Sequence, residues 1–229
     1  MCWCANFTYF AVPSVLLALT NQNSMARPVR LVFIAGLLLI IFYFLKESVF
    51  SDSAYVAGIK KERQDKNQSF RSSNSPLEEA DRATFDSLSY YVPGIIYRVN
   101  ADYKEFSQPE TVQMPMNTGG TEPYLRFAKA TFNLEGQQNS LILYLRVNTT
   151  DSSLFVPFSD KTNGLETYEG GRFMDIPKPE PGTNQITLDF NKAYNPFCVY
   201  NYNYSCPVPP PSNRLPVSVR AGEKSYTKR

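Results

Sequence analysis

The chain has 229 residues, 43% apolar and 14% aromatic, which excludes global disorder and leaves room for one ordinary domain plus an appendage. Its formal charge of +2 comes entirely from Arg27, Arg30 and Lys46 less Glu47, so the sequence from Ser51 onward sums to zero. A neutral domain lacks the electrostatic footprint of a nucleic-acid binder or of a protein adsorbed to an anionic membrane.

Residues 1–24 carry a short apolar patch and Cys2 and Cys4. They read either as an extension upstream of a start at Met25 or as a loosely structured tail. "MARPVRLVFIAGLLL" then reads as a complete signal-anchor over 25–50. Its uncharged run, Leu31–Leu45, covers about 22 Å at 1.5 Å per residue, against a hydrocarbon core of roughly 30 Å. Flanking apolar residues lengthen it, and Arg30 and Lys46 can snorkel. A cleaved signal peptide is the competing reading, although "KESVFSDSA" is a poor cleavage site. Arg27 and Arg30 hold the near side in the cytoplasm by the positive-inside rule, so the rest of the chain is expected outside.

Residues 51–74 read as a helix that leaves the membrane and frays into "NQSFRSSN". A second helix is expected from a capping box, with Ser75 as N-cap, Pro76 at the first position and Glu78 at the third. From Gly94 the apolar period changes to two. Strands are expected over "IIYRVNADY", "ETVQMPM", Leu125–Leu134, Ser140–Asn148, Leu154–Phe158, Arg172–Ile176, Gln185–Phe190 and Pro216–Ala221. "EGQQN" marks a hairpin loop, and an apolar phase slip near Ala128–Ala130 marks a bulge. Together these predict a mainly β domain over 75–229, an antiparallel sandwich or barrel-like fold with two short N-terminal helices, preceded by one transmembrane helix.

The motifs "SPLEEADRATFDSLSYY", "YRV", "FSDKTNGLETYEGGRFMDIP", "LDFNKAYNPFC", "CPVPPPSNRLPV" and "AGE" follow one another from Ser75 to Glu223. In that order they resemble the bacterial and archaeal domain-of-unknown-function family 1684. The resemblance implies a compact β-rich domain and brings no established activity. Against longer relatives the chain looks like a shortened version, with helices and anchor in place of extra N-terminal strands.

Histidine is absent, which excludes Ser-His-Asp and Cys-His triads, and no phosphate loop or dinucleotide fingerprint occurs. No cofactor and no metal site is expected. Cys198 and Cys206, with seven residues between them, favour a disulfide on the outer side of a membrane, worth roughly 2–3 kcal/mol on the chain-entropy model. Free buried thiols are the alternative, with a metal or redox pair behind them. The proline run after Cys206 reads as a stiff strap. The polar set Asp160, Thr162, Tyr168, Arg172, Asp189, Asn191, Asn195, Asn213 and Glu223 has two readings. It is either a network that pins long loops, with Arg172 paired to Asp189 or Glu223, or a pocket where Arg172 binds an anion and Asp189 and Glu223 act as acid and base. The function expected is a membrane-anchored extracytoplasmic binding or interaction module, its partner a small molecule or an envelope protein. The alternative is a carboxylate-based hydrolase-like enzyme.

Overall fold

In the computed structural model the described residues are 27–147 and 149–227, with side chains at 27–30 and 44–51 outside the description. The readings of the first 24 residues, of Cys2 and Cys4 and of a start at Met25 lie outside them. The chain divides into two units, Met1–Phe50 and Ser51–Arg229. The described part of the first unit is helical from Arg27, with its apolar side chains from Leu31 to Tyr43 mostly exposed. Among the described residues no helix is long and apolar enough to cross a membrane. The transmembrane helix expected at Leu31–Leu45 is therefore unsupported; its uncharged run of fifteen residues is shorter than the roughly 20 a span requires.

Helix α1 spans Arg27–Phe70, and α2, Glu79–Thr84, follows it. The two short helices expected are thus one long helix and one of six residues. The capping box does not form. Ser75 Oγ accepts from Leu77 N at 3.1 Å in a local turn, and α2 starts after Glu78 with no side-chain cap. Leu77 and Leu88, at either side of α2, are buried with Phe70 and Tyr200, while α2 itself buries nothing.

Six antiparallel strands form one curled sheet in the order β5-β4-β3-β2-β1-β6. They are β1 Arg98–Pro115, β2 Thr121–Leu134, β3 Gln137–Arg146, β4 Leu154–Phe158, β5 Arg172–Ile176 and β6 Gln185–Asp189. A single sheet replaces the sandwich option. The curl brings its edges together: Phe173 on β5 exchanges both backbone hydrogen bonds, each 2.9 Å, with Tyr194 just beyond β6. The "RVNADY" part of the first expected strand and "ETVQMP" of the second join as one strand, interrupted by a register shift between Glu105 and Glu110. Ile95–Tyr97, expected as strand, is instead a 3-10 turn, because Tyr97 N donates to Gly94 O rather than pairing in the ladder. The phase slip of β2 is a bulge between Arg126 and Ala128. The β2–β3 turn is tighter than "EGQQN": only Glu135 and Gly136 leave the ladder, with φ of 51° and 72°.

Both faces of the sheet are buried, by different parts of the chain. Inside the curl, Leu141, Leu143, Leu154, Val156, Phe158, Met174 and Leu188 pack on Leu215, Val217, Val219 and Ala221. On the outer face Met114, Tyr124, Ile142, Tyr144, Phe155 and Phe173 form a second cluster. The segment Pro216–Ala221 is not the strand its alternation predicts. Its side chains alternate into the core, but Val219 N and O and Ala221 O are taken by Asp160 and Arg172, while Val217 O accepts from Lys161 N.

After Ala221 the chain must turn at Gly222, φ 74°, where an added Cβ would stand 2.5 Å from Ala193 O and 2.8 Å from Phe190 O. Gly136 also has positive φ, 72°, but open space around it. Gly222→Ala is expected to destabilise the domain severely, because backbone contact adds to conformational strain of about 1 kcal/mol or more. Gly136→Ala is expected to cost only that strain. Denaturant midpoints of the two variants, measured side by side, test the difference.

Candidate functional site

The nine polar residues singled out from the sequence separate into distinct groups. The first is centred on Arg172, at the start of β5. Arg172, Met174 and Ile176 alternate onto the inner face, so the guanidinium points into the apolar core. Its partner is Asp160, at 2.8 Å, with both side chains fully buried. The pairing expected with Asp189 does not form, and from Glu223 Arg172 receives only the backbone carbonyl, at 3.1 Å. Val219 O accepts at 2.8 Å and Ala221 O also accepts. Asp160 Oδ1 in turn accepts from Thr162 N (2.8 Å), Thr162 Oγ1 (2.6 Å) and Val219 N (3.1 Å). Thr162 and Thr167 share a further hydroxyl contact of 2.8 Å. The pair is an internal clamp in which both Arg172 Nη atoms and both Asp160 oxygens are engaged, while Arg172 Nε is buried without a partner.

Glu223, 1% exposed, heads the second group. Its Oε2 accepts from Asn195 N at 2.7 Å and from Tyr200 OH at 2.6 Å. Its Oε1 accepts from Lys66 Nζ at 2.5 Å and, at the long limit of 3.5 Å, from Tyr90 OH. Arg63 stacks 4.5 Å over the Tyr90 ring and donates to Tyr91 O at 2.6 Å. Glu223, Lys66, Arg63 and Tyr90, with Ile59, Asn191 and Tyr194, line a cavity of about 230 Å³.

In the third group Tyr55 OH donates to Asp189 Oδ1 at 2.8 Å, and Asn191 N donates to the same oxygen at 3.1 Å. The Asn191 amide also grips both backbone groups of Gly94, at 2.8 and 2.9 Å. Asp189 lines a different cavity from Glu223, beside Arg98, Asp175 and Lys192. The two carboxylates are therefore not an acid–base pair across one cleft.

Asn213 stands apart. It satisfies Ile142 N and O at 2.8 Å each, and Pro157 O at 2.7 Å, where β3 and β4 diverge. Tyr168, half-buried, lies against Cys198 and Cys206.

Cys198 and Cys206 are two free, buried thiols, which corrects the disulfide expected from their spacing. Their sulfurs hydrogen-bond each other, and Cys206 Sγ also accepts from Cys198 N at 3.2 Å. That donation, the Cys198 thiol first, holds the Cys206 thiol below its ordinary value. The loop stays in place without a covalent staple because it is laced to the β1–β2 turn. Asn117 N donates to Cys206 O at 2.9 Å, Cys206 N donates to Asn117 Oδ1 at 2.7 Å, and Val208 N donates to Pro115 O at 2.8 Å. Among the described residues no group of three or more His, Cys, Asp or Glu side chains could hold a metal ion.

Lys66, Arg63, Tyr90 and Tyr200 were missed in the sequence reading. The signal lay in α1: Tyr55, Ile59, Arg63, Lys66 and Phe70 recur at intervals of four and three, one helix face, with Ile59 and Phe70 buried.

The fold and its clamp define a small curled-sheet β domain. The chain belongs to the family described as protein of unknown function (DUF1684), whose profile matches residues 83–224. It is similar to the solution NMR structure of the uncharacterized protein from gene locus rrnAC0354 of Haloarcula marismortui, at 36% identity and a TM-score of 0.60, over 76% of this chain and 96% of that one. No curated protein is similar to the chain.

Two measurements probe the groups. Arg172→Met removes the charge that balances Asp160 and strands the carbonyls of Val219 and Ala221. It is expected to lower unfolding stability by about 3–5 kcal/mol in denaturant titration.

The second concerns tyrosines. Burial, followed by the neighbouring Glu223, pushes the Tyr90 and Tyr200 hydroxyls above their ordinary value of 10.0, and burial with Asp175 does the same to Tyr194. Above pH 10 the unfolded chain sheds protons that the folded one keeps, so this stability is complete below pH 10 and lost as pH rises beyond it. Denaturant midpoints should fall between about pH 9 and about pH 11.5. Tyr200→Phe should be less stable at neutral pH yet show a shallower alkaline decline.

Proposed function

We propose that the chain is a binding or interaction module anchored in a membrane by the helical run at Leu31–Leu45, with its β domain outside the cytoplasm. The observation that carries the module reading is the use made of the polar residues. Arg172 is consumed by Asp160 and backbone carbonyls in the core, Asp189 by Tyr55 and Asn191, and Glu223 by Asn195, Tyr200 and Lys66. A hydrolase that employed Arg172, Asp189 and Glu223 together would need them around one cavity, and their separation weighs against it.

The pocket at Glu223 suits recognition. Aromatic rings of Tyr90 and Tyr194 meet the cations of Arg63 and Lys66 there, at the edge of the sheet. A small molecule or an envelope protein is the partner class this supports. Tyr55, Arg63 and Lys66 lie outside the span matched by the family, so α1 adds its own side chains to the family domain.

The anchor rests on the uncharged run between Arg30 and Lys46 and on the exposure of its described apolar side chains. The orientation rests on Arg27 and Arg30. A phosphatase fused after Arg229 is expected to be active in intact cells, and deletion of residues 31–45 is expected to release the chain into the soluble fraction. A fluorescent reporter that matures only in the cytoplasm and lights up at the same fusion point would reverse the orientation.

A further inference from the structure

A third cavity, of about 190 Å³, opens on the outer face of the sheet and shares only the Tyr194 side chain with the Glu223 cavity. One wall is a ladder of rings. Tyr124 and Phe155 are 5.4 Å apart, Phe155 meets Phe173 edge-on at 4.9 Å, and Phe173 meets Tyr194 edge-on at 6.0 Å. The opposite rim is the aromatic loop, where Phe197 and Tyr204 stand edge-on at 5.4 Å and are 45% and 38% exposed. The rings are supplied by β2, β4, β5 and the loop that the Asn117–Cys206 hydrogen bonds hold down, so the cavity is built rather than incidental.

We propose that this cavity is a binding site for a small, uncharged, single aromatic ring. Size sets the first limit: about 190 Å³ is below the range of roughly 300–1,000 Å³ that drug-sized ligands fill. Chemistry sets the second. The side chains of Arg146, Tyr194, Ser205 and Cys206 in the wall already have polar partners. Arg146 lies 4.3 Å over Phe155, paired with Asp151 at 3.0 Å and Asp175 at 2.9 Å, and it hydrogen-bonds Tyr124. Tyr194 OH donates to Asp175, Ser205 Oγ pairs with Thr118 at 2.6 Å, and Cys206 Sγ accepts from Cys198 N.

A sugar ring would bring several hydroxyls to a wall whose Arg146, Tyr194, Ser205 and Cys206 side chains are already engaged, which disfavours it. An anion would meet two carboxylates beside one guanidinium, and a cation would meet Arg146 itself. A flat apolar ring instead finds edges and faces at the offset and T-shaped spacings that aromatic pairs prefer.

The test uses the purified full chain and p-cresol as probe, read by saturation-transfer NMR and a titration, with methyl glucoside in a parallel arm. Saturable p-cresol binding is expected, with methyl glucoside neither binding nor competing. Phe197→Ala and Tyr204→Ala, at the exposed rim where folding is spared, should each weaken p-cresol at least fivefold, while Tyr204→Phe, which keeps the ring, should change it less than twofold. Either alanine variant that unfolds at the parent temperature suffices. Absence of saturable binding, equal binding by the alanine variants, or displacement of p-cresol by methyl glucoside would overturn the proposal.

Discussion

A guanidinium buried in an apolar core has to be met by acceptors on nearly every side, and Arg172 meets that demand with Asp160 and three carbonyls of one segment. The requirement fixes the C-terminal chain. Val219, Ala221 and Glu223 must present their oxygens to one point, which a straight strand in the ladder could not do while pairing with a neighbour. Their side chains between those oxygens still alternate, so Val217, Val219 and Ala221 fill the inside of the curl. Removing the charge would leave a buried carboxylate and orphaned carbonyls at once, which is why such pairs are far easier to lose than to replace piecemeal.

From that clamp the rest of the polar framework follows in order. Gly222 turns the chain in contact with Ala193, Glu223 N donates to Ala193 O at 2.9 Å, and the Glu223 side chain is delivered beneath Asn195 and Tyr200. The same stretch, Ala193–Tyr194, closes the sheet by bridging β5. Sheet closure and the placement of Glu223 are thus one event. The outer face is covered by the loop and proline strap between Phe197 and Val208, tied to the β1–β2 turn through Cys206 and Val208 and to Glu223 through Tyr200.

What the sequence disclosed follows from where backbone hydrogen bonds go. Leu154–Phe158 and Arg172–Ile176 form strands at the bounds that their alternation predicts, because their backbones pair within the ladder. Pro216–Ala221 shows the same alternation and is no strand, because its backbone answers Asp160 and Arg172. Alternation reports which side chains are buried and is silent about the hydrogen-bond partner. The burial of Arg172 was itself legible, since it stands in phase with Met174 and Ile176. Its partner was not, because Asp160 lies across a turn whose geometry depends on Thr162 and Asn163. Ser75 misled for a local reason: its hydroxyl closes a turn two residues ahead, and the helix begins only after Glu78.

The face of α1 within the second unit gives the argument its last step. Ile59 and Phe70 bury apolar surface, but the same face carries Tyr55, Arg63 and Lys66, each of which completes a polar group on the β domain. An apolar helix face would cover the sheet edge equally well and could slide along it. Donors that must reach the Asp189 carboxylate, Tyr91 O and the Glu223 carboxylate at once allow a single register, since a shift of one residue rotates the helix by about 100° and breaks all three. The polar contacts therefore set where the helix sits, while Ile59 and Phe70 provide the burial that holds it there. That division keeps Lys66 and Arg63 at fixed positions in the wall of the Glu223 pocket, which a helix held by apolar contact alone would not do.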